Sequence, residues 1–404
     1  MSQVLTVCTG CGSADLRTVL SFGHQPLSTR FGKAVQTLEK APTALLSIGN
    51  CTKCGILQLV DRFTLAFLQS KAPTLQFREP RKHLPELVSK LSGLEEINQH
   101  SRFLGVSYID EDLLVELTAA GYDNVATINF SMLAGWHNGA GLETMQSLLT
   151  TPASHAAIKL AVGTVDVLVA RFILEHAESA IVFLRALASL VRPNGYIVIE
   201  VPDATKMLEA GNHALVWEDH FTYFTDETLQ SLLNRAGLTI VALQRYVYAY
   251  EDALVAIVRV NSSGLMEDAA EQSIGLPLLD VFAAGFERKK SQLRVRLASM
   301  IAGGERLAVF GAGHHTAKYL NFYGIADLFE FAVDDNPLKT GLYLPGTNLC
   351  VRSSEYLMKS AVKTCFSALD PETEKRVRNS MADFFARGGN FIPMFNLVGD
   401  QNEP

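Results

Sequence analysis

An apolar run, Tyr196 to Val201, is too short for most helices and rich in β-branched residues. It follows the turn residues Arg192-Pro193-Asn194-Gly195, and together these predict a buried strand. Upstream, Arg102 to Tyr122 passes from an apolar stretch through Gly105-Val106-Ser107-Tyr108-Ile109-Asp110 into an amphipathic run closed by Gly121. Asn124 to Asn129 is apolar again, so the order strand, turn, helix, strand opens a doubly wound sheet. Val165 to Ala170 predicts a third strand, ending in Arg171-Phe172-Ile173-Leu174-Glu175-His176, with a helix behind it to Leu190. Asp226 to Gly237 carries a helical stripe of Leu229, Leu232 and Leu233, and Leu238–Tyr248 and Ala253–Val260 read as a closing antiparallel pair. A long helix is expected over Met266–Ile301, then a second βαβ unit from Arg306, with later strands at Phe329–Val333 and Asn390–Pro393. Glu79 to Leu84 is expected to open a helix to Leu94, with His83 on its surface, and Ser21 to Ser28 reads as a short strand into a turn. Ser131 to Pro152, which holds Glu143, has no clear period.

With 404 residues the chain exceeds one ordinary core, so two or three domains are expected. Hydrophobic residues make up 48% and charged residues 19%, as in a globular protein. No apolar run reaches the roughly 18 residues of a membrane span, and no basic segment followed by an apolar one opens the chain. A cytoplasmic protein, monomeric or homodimeric, is the expectation. The net charge of −7 and the lack of a basic stripe argue against nucleic acid and leave a small-molecule substrate.

Four of the six cysteines form two knuckles, Cys8-Thr9-Gly10-Cys11-Gly12 and Cys51-Thr52-Lys53-Cys54-Gly55. Four thiolates suit a closed tetrahedral zinc site, structural because protein fills every position; a redox Cys-x-x-Cys pair is the alternative. Trp217-Glu218-Asp219-His220-Phe221-Thr222-Tyr223 places two carboxylates, an imidazole and a phenol within seven residues, a pattern of acid–base chemistry or else a solvated loop. His176 and Arg171 stand at a strand's carboxyl end, where open α/β sheets bind ligands. Candidate cofactor contacts are Gly105, Ser107 and Asp110 in the first loop, Asn129 and Phe130 after the second strand, and Arg171. Gly311-Ala312-Gly313-His314-His315 leads from a strand into a helix and can cradle phosphate, with Asp334 and Lys339 as further substrate-binding candidates.

The CxxCG pair, the stretch from Asp219 to Phe224 and the run from Phe310 to Gly346 resemble the sugar C-methyltransferases that act on nucleotide-linked deoxysugars. The resemblance implies an N-terminal zinc-binding domain (1–68), a methyltransferase-like doubly wound sheet (69–260), a helical linker (261–302) and a C-terminal Rossmann-like domain (303–404). It implies methyl transfer from S-adenosylmethionine to a ketosugar carbon, with zinc structural and no metal needed at that step. His220, or Asp219 coupled to it, would take the proton; Glu218 and Tyr223 would orient the pair; His176 would stabilise the enolate oxygen. His220 matches the last histidine of the family's tyrosine-His-Glu-His element, and Asp219 replaces its glutamate. The loop at Gly105 has fewer glycines than the family's, and Asn129 lacks the charge that usually meets the ribose. An isomerase, epimerase or lyase on the same scaffold, or a non-catalytic binding module, are the alternatives.

Overall fold

The computed structural model describes residues 2–34, 41–69, 81–130, 141–261 and 276–395. Three sheets, each at least five strands wide, follow one another along the chain.

The first sheet is antiparallel, in the order β1-β4-β3-β2, from β1 (Ser2–Val4), β2 (Leu16–Pro26), β3 (Thr43–Cys51) and β4 (Leu57–Phe63). The strand expected at Ser21–Ser28 is the second half of β2. The second sheet collects β5 (Phe103–Gly105), β6 (Val125–Thr127), β7 (Val165–Arg171) and β8 (Val191–Pro202). The segment β9 (Thr222–Tyr223) leaves this sheet and pairs with β4 of the first, Tyr223 opposite Leu57. The second sheet is completed by β10 (Leu238–Tyr246) and β11 (Ala253–Val260), in the order β10-β11-β8-β7-β5-β6. β5, β6, β7 and β8 are parallel, and β11 runs antiparallel to both β8 and β10. The chain moves outward one way from β5 to β6 and the other way from β7 to β8. The crevice between β5 and β7 is therefore the switch point at which such sheets bind ligands.

β8 is buried from Tyr196 to Pro202, as its apolar run predicts. The turn expected at 192–195 is absorbed into the strand's start, where Asn194 takes a φ of 62°. The unpatterned region yields two helices, Leu142–Thr150 and Pro152–Val162; residues 131–140 lie outside the described ones. The helix expected from Glu79 is described over Leu84–Ser92, with Glu79 and Pro80 outside the described residues. The long helix is described over Leu276–Ala302.

The third sheet contains β12 (Leu307–Phe310), β13 (Ala332–Val333), β14 (Val351–Arg352), β15 (Thr364–Ser367) and β16 (Asn390–Pro393). All its pairings are parallel, in the order β14-β13-β12-β15-β16. It has its own switch point between β12 and β15.

The cores run across these sheets. Cys8, Cys51, Cys54 and Ile56 pack in one cluster with Phe224, Leu229 and Leu232 of the second unit. Phe22, Ile48 and Leu59 of the first sheet join Phe221, Phe282, Phe286 and Leu320 in another. The segment 217–224 lies where all three units meet, so its geometry depends on the packing of each.

Candidate active site

The two knuckles converge. The Sγ atoms of Cys8 and Cys54 lie 3.5 Å apart and those of Cys11 and Cys51 lie 3.6 Å apart, and all four fall within 4.8 Å of one another. Gly12 and Gly55 take φ of 73° and 75°, left-handed turns that suit glycine. The Gly10 N–H points at the Cys8 sulfur from 3.4 Å. Without a cation, crowding against Cys11 pushes the Cys8 thiol up to about 12 and the Cys54 thiol up as well. A divalent ion is what allows four thiolates, three of them buried, to coexist, and the donor set fits zinc.

From this site the first sheet reaches the polar cluster. Thr9 Oγ1 lies 3.1 Å from Thr222 Oγ1, and the Thr9 N–H donates to Gln58 Oε1. The Leu59 N–H donates to Phe221 O at 3.0 Å, and the Phe221 N–H donates to Glu175 O at 2.7 Å. The loop is thereby fixed between β4 and the turn after β7, and His220 is set against His176 with ring centroids 4.7 Å apart.

Two residues absent from the sequence-based candidates complete the cluster. Glu143 Oε1 stands 3.3 Å from His176 Nδ1, and Glu175 has ligand atoms within 4.8 Å of those of His176 and His220. Burial works against a charged His176, but the hydrogen bond and charge of Glu143, with Asp219 and Glu175 behind it, lift it to about 9. Burial, then the charges of His176 and His314, hold His220 well below the usual imidazole value. Burial pushes Asp219 up to about 7 against the pull of His176, and it also pushes Glu175 to about 7. One imidazole is thus set to carry a proton and its neighbour to lack one. No spacing rule points to Glu143, because it sits in an unpatterned stretch. Glu175 was visible only as the residue before His176.

Two members of the predicted cluster have other settings. Glu218, expected beside the base, is turned away: Oε1 accepts from Ser28 N at 2.5 Å and Ser28 Oγ at 2.9 Å, while Oε2 lies 2.5 Å from Lys318 Nζ. Tyr223, expected to orient the pair, spends its hydroxyl on the backbone of Trp217, accepting from its N–H and donating to its carbonyl. Trp217 packs edge-on against His220 on one side and against His314 on the other, with centroids at 4.6 and 4.3 Å. The start of the helix His314–Tyr323 is thereby brought to the rim of the cluster.

Three family profiles match successive parts of the chain: a zinc binding domain over residues 8–65, a methyltransferase domain over 76–243 and a C-methyltransferase C-terminal domain over 260–395. C-methyltransferase NovU of Streptomyces niveus is 24% identical over 412 residues, covering 95% of this chain and 94% of its own.

Taken together, the three matches give the chain the domain order of a C-methyltransferase.

Among solved structures, the 1,6-didemethyltoxoflavin-N1-methyltransferase of Burkholderia thailandensis is 14% identical, covering 45% of this chain and 79% of its own at a TM-score of 0.30. The magnesium protoporphyrin IX methyltransferase of Synechocystis PCC 6803 is 13% identical, covering 44% and 82% at a TM-score of 0.31.

This C-methyltransferase takes S-adenosylmethionine as methyl donor and zinc at its cysteine cluster. At the β5–β7 switch point the candidate cofactor residues divide by position. Asp110, fully buried, accepts from Val106 N and Ser107 N through Oδ2 and from Arg171 N through Oδ1, at 2.7–2.9 Å. Ser107 caps the short turn at Tyr108–Asp110. Asp110 and Ser107 therefore build the loop. Gly105 is required by that packing, since a Cβ there would lie 2.8 Å from Leu114 Cδ1 and 2.9 Å from Asp110 Cβ. Arg171 is buried too, its Nε 2.5 Å from Glu200 Oε2 and its guanidinium also donating to Ile109 O. Glu200 in turn lies 3.3 Å from His83 Nε2, and His83 Nδ1 is 2.6 Å from the Tyr248 hydroxyl. His83 is thus a buried partner of the sheet and not the surface residue expected, because the helix Leu84–Ser92 packs its first turn onto the strand ends. Asn129 is exposed at the carboxyl end of β6 with buried Phe130 beside it. An amide that both donates and accepts fits a ribose diol, so the donor set there suits S-adenosylmethionine.

In the third unit, Gly311 and Gly313 lead from β12 into the helix at His314. Lys339 Nζ bridges Ala312 O at 3.0 Å and Asp334 Oδ2 at 2.8 Å, which ties the loop after β12 to the loop after β13. His315 stacks on Phe395 with centroids 3.7 Å apart. Among the described residues no helix is long and apolar enough to cross a membrane.

Proposed function

We propose that this enzyme methylates a carbon next to the carbonyl of a nucleotide-linked ketosugar, through an enolate generated by Asp219 and His220. One observation carries the reading: Asp219, His220 and His176 converge at the carboxyl end of β7, beside the switch point of the methyltransferase sheet. A carbon acid adjacent to a carbonyl needs a base at the carbon and a positive group at the oxygen. Asp219 is half-buried and faces the cluster, and His220 is a neutral imidazole at its side. His176, held by Glu143, is the group that meets the developing oxyanion.

Bound S-adenosylmethionine supplies an electrophilic methyl group. Asn129 and the Gly105–Asp110 loop would hold it, and the loop's rigidity fixes the reacting carbon's approach. Glu218 acts at a distance, locking the loop to Ser28 and Lys318 so that Asp219 and His220 keep their places. The Gly311–Gly313 loop and the start of the His314 helix, with Asp334 and Lys339 behind them, would take the diphosphate.

The test is incubation with methyl-deuterated S-adenosylmethionine and a panel of nucleotide-linked ketodeoxysugars, read by mass spectrometry. A product gaining the labelled methyl on carbon is expected, and the Asp219→Asn/His220→Ala double variant should lower its rate by about 10²–10⁴. Absence of labelled product across the panel refutes the substrate class, and a double variant at full rate refutes the base.

A further inference from the structure

We infer that Glu175 is a positioning residue for the base: it holds one ring nitrogen of His220 and receives, through that ring, the proton that His220 takes from carbon. The inference rests on His220 as the base of the reaction proposed above. Glu175 stands in the turn after β7, one residue before His176. An oxygen of its carboxylate lies within 4.8 Å of a nitrogen of His220. That is longer than a hydrogen bond, and catalytic pairs of this kind commonly draw in to about 2.6–3.2 Å once substrate fills the site. The Phe221 N–H donates to Glu175 O at 2.7 Å, so the two segments are already tied together at the backbone.

The independent observation is the state of the Glu175 carboxyl group. It is 1% exposed, and neither oxygen has a hydrogen-bond partner among the described residues. Burying a carboxyl group in that state is costly, and such groups mark a working site more often than a neutral one. Oxygens so deeply buried do not reach substrate, so Glu175 acts behind another side chain. His176 already has Glu143, whose Oε1 stands 3.3 Å from its Nδ1. The His220 ring is packed by His176, Trp217 and Tyr223, with centroids at 4.7, 4.6 and 6.2 Å. Such packing sets the plane of an imidazole but not which nitrogen carries its proton; a carboxyl group at one nitrogen does.

Electrostatics give the proton its direction. His176 is the cation of the cluster. An imidazolium at His220 would be a second positive charge with its ring 4.7 Å away, and burial followed by the charge of His176 opposes it. Burial of Glu175 instead favours its protonated form and lifts it to about 7. In the step, the C–H bond breaks and its electron pair becomes the enolate. The proton goes to one ring nitrogen of His220, and the proton on the other nitrogen goes to a Glu175 oxygen. His220 stays neutral in its other tautomer and Glu175 becomes a carboxylic acid. The negative charge has moved from Glu175 to the enolate oxygen beside His176, so no new charge is created in the cleft. After product leaves, the proton returns through His220 to water.

The groups that face Glu175 are His176 in the same turn, Glu200 at the end of β8, and Asp219 and His220 in the 217–224 loop; Glu143 faces His176 and His314 faces His220. The test follows isotope-labelled histidine and glutamate by NMR in the full-length, zinc-loaded protein between about pH 5.5 and 8.5. Labelling glutamate and not aspartate keeps Asp219, which titrates in the same range, out of the carboxyl spectrum. In wild type one glutamate is expected to titrate near pH 7, and His220, assigned by His220→Ala, to stay neutral while exchanging tautomers over the same midpoint. Glu175→Gln should lose both changes, Glu175→Asp should keep the tautomer exchange, and Asp219→Asn should keep both. With a sugar nucleotide that gains label in the assay above, Glu175→Gln should lower kcat at least about tenfold with KM within about twofold, and abolish the rise in kcat as pH passes about 7. Circular dichroism checks that each variant has folded. A His220 tautomer that stays fixed in wild type, or that still exchanges in Glu175→Gln, overturns the relay, as does Glu175→Gln at wild-type kcat. The NMR readout needs no substrate, so failure of the relay and failure of the proposed reaction are distinguishable.

Discussion

Lys318→Met removes the only described cation that ion-pairs with Glu218. In the wild type Lys318 Nζ sits 2.5 Å from Glu218 Oε2, with side chains 2% and 3% exposed. The pair joins the helix His314–Tyr323 to the catalytic loop, and Ser28 of the first unit holds the other carboxylate oxygen through two donors. Methionine preserves most of the lysine's volume, so the change isolates charge from packing. The remaining carboxylate would keep Ser28 but lose its counter-ion inside the protein. Breaking one half of a buried pair costs about 3–5 kcal/mol. For a cooperative unit of about 150–250 residues, each kcal/mol lowers Tm by about 2–4 °C, so a fall of about 6–20 °C is expected. Differential scanning calorimetry of the zinc-loaded protein measures it. Adding Glu218→Gln to Lys318→Met removes the stranded charge while leaving an oxygen for Ser28, and should recover most of the loss. A Tm within about 2 °C of wild type, or a double variant no better than the single, would refute the view of Glu218 as a junction between the three units.

Further expectations follow from the same contacts. Stripping zinc should raise hydrogen exchange in residues 217–224 as well as in the knuckles, because β9 is paired to β4; unchanged protection in that loop would break the link between zinc and catalysis. Gly105→Ala forces a Cβ to within 2.8 Å of Leu114 and should weaken S-adenosylmethionine binding at least about tenfold, near 1.4 kcal/mol; calorimetric titration decides it. His213 is buried between the Tyr323 hydroxyl and Phe282 O, and burial lowers it from 6.5 to about 4. Below pH 6.5 the unfolded chain binds a proton that the folded protein excludes until about pH 4, so this contribution is present above 6.5 and falls away as pH drops, by up to about 3 kcal/mol. His213→Gln should therefore show a smaller loss of urea midpoint between pH 7 and pH 5 than wild type; an equal loss would contradict the assignment.

The sequence by itself determined the elements and their order. Apolar runs at 165–170 and 196–201 read as buried strands, and two matched CxxCG knuckles suit a shared zinc ion better than a redox pair. Those signals are local, carried by a few consecutive residues with a fixed period. Asp219, His220 and His176 were legible for the same reason, as polar residues at strand ends or in a dense cluster. Tertiary structure alone decided which of them face one another. It turned Glu218 from the base toward Lys318, one hundred residues further along the chain, and buried His83 against Glu200. It also brought Glu143 to His176 and set Glu175 beside two imidazoles with no hydrogen-bond partner for its carboxylate among the described residues. A carboxylate's role depends on the charges and donors within a few ångströms, and in this protein segments far apart in the chain supply them.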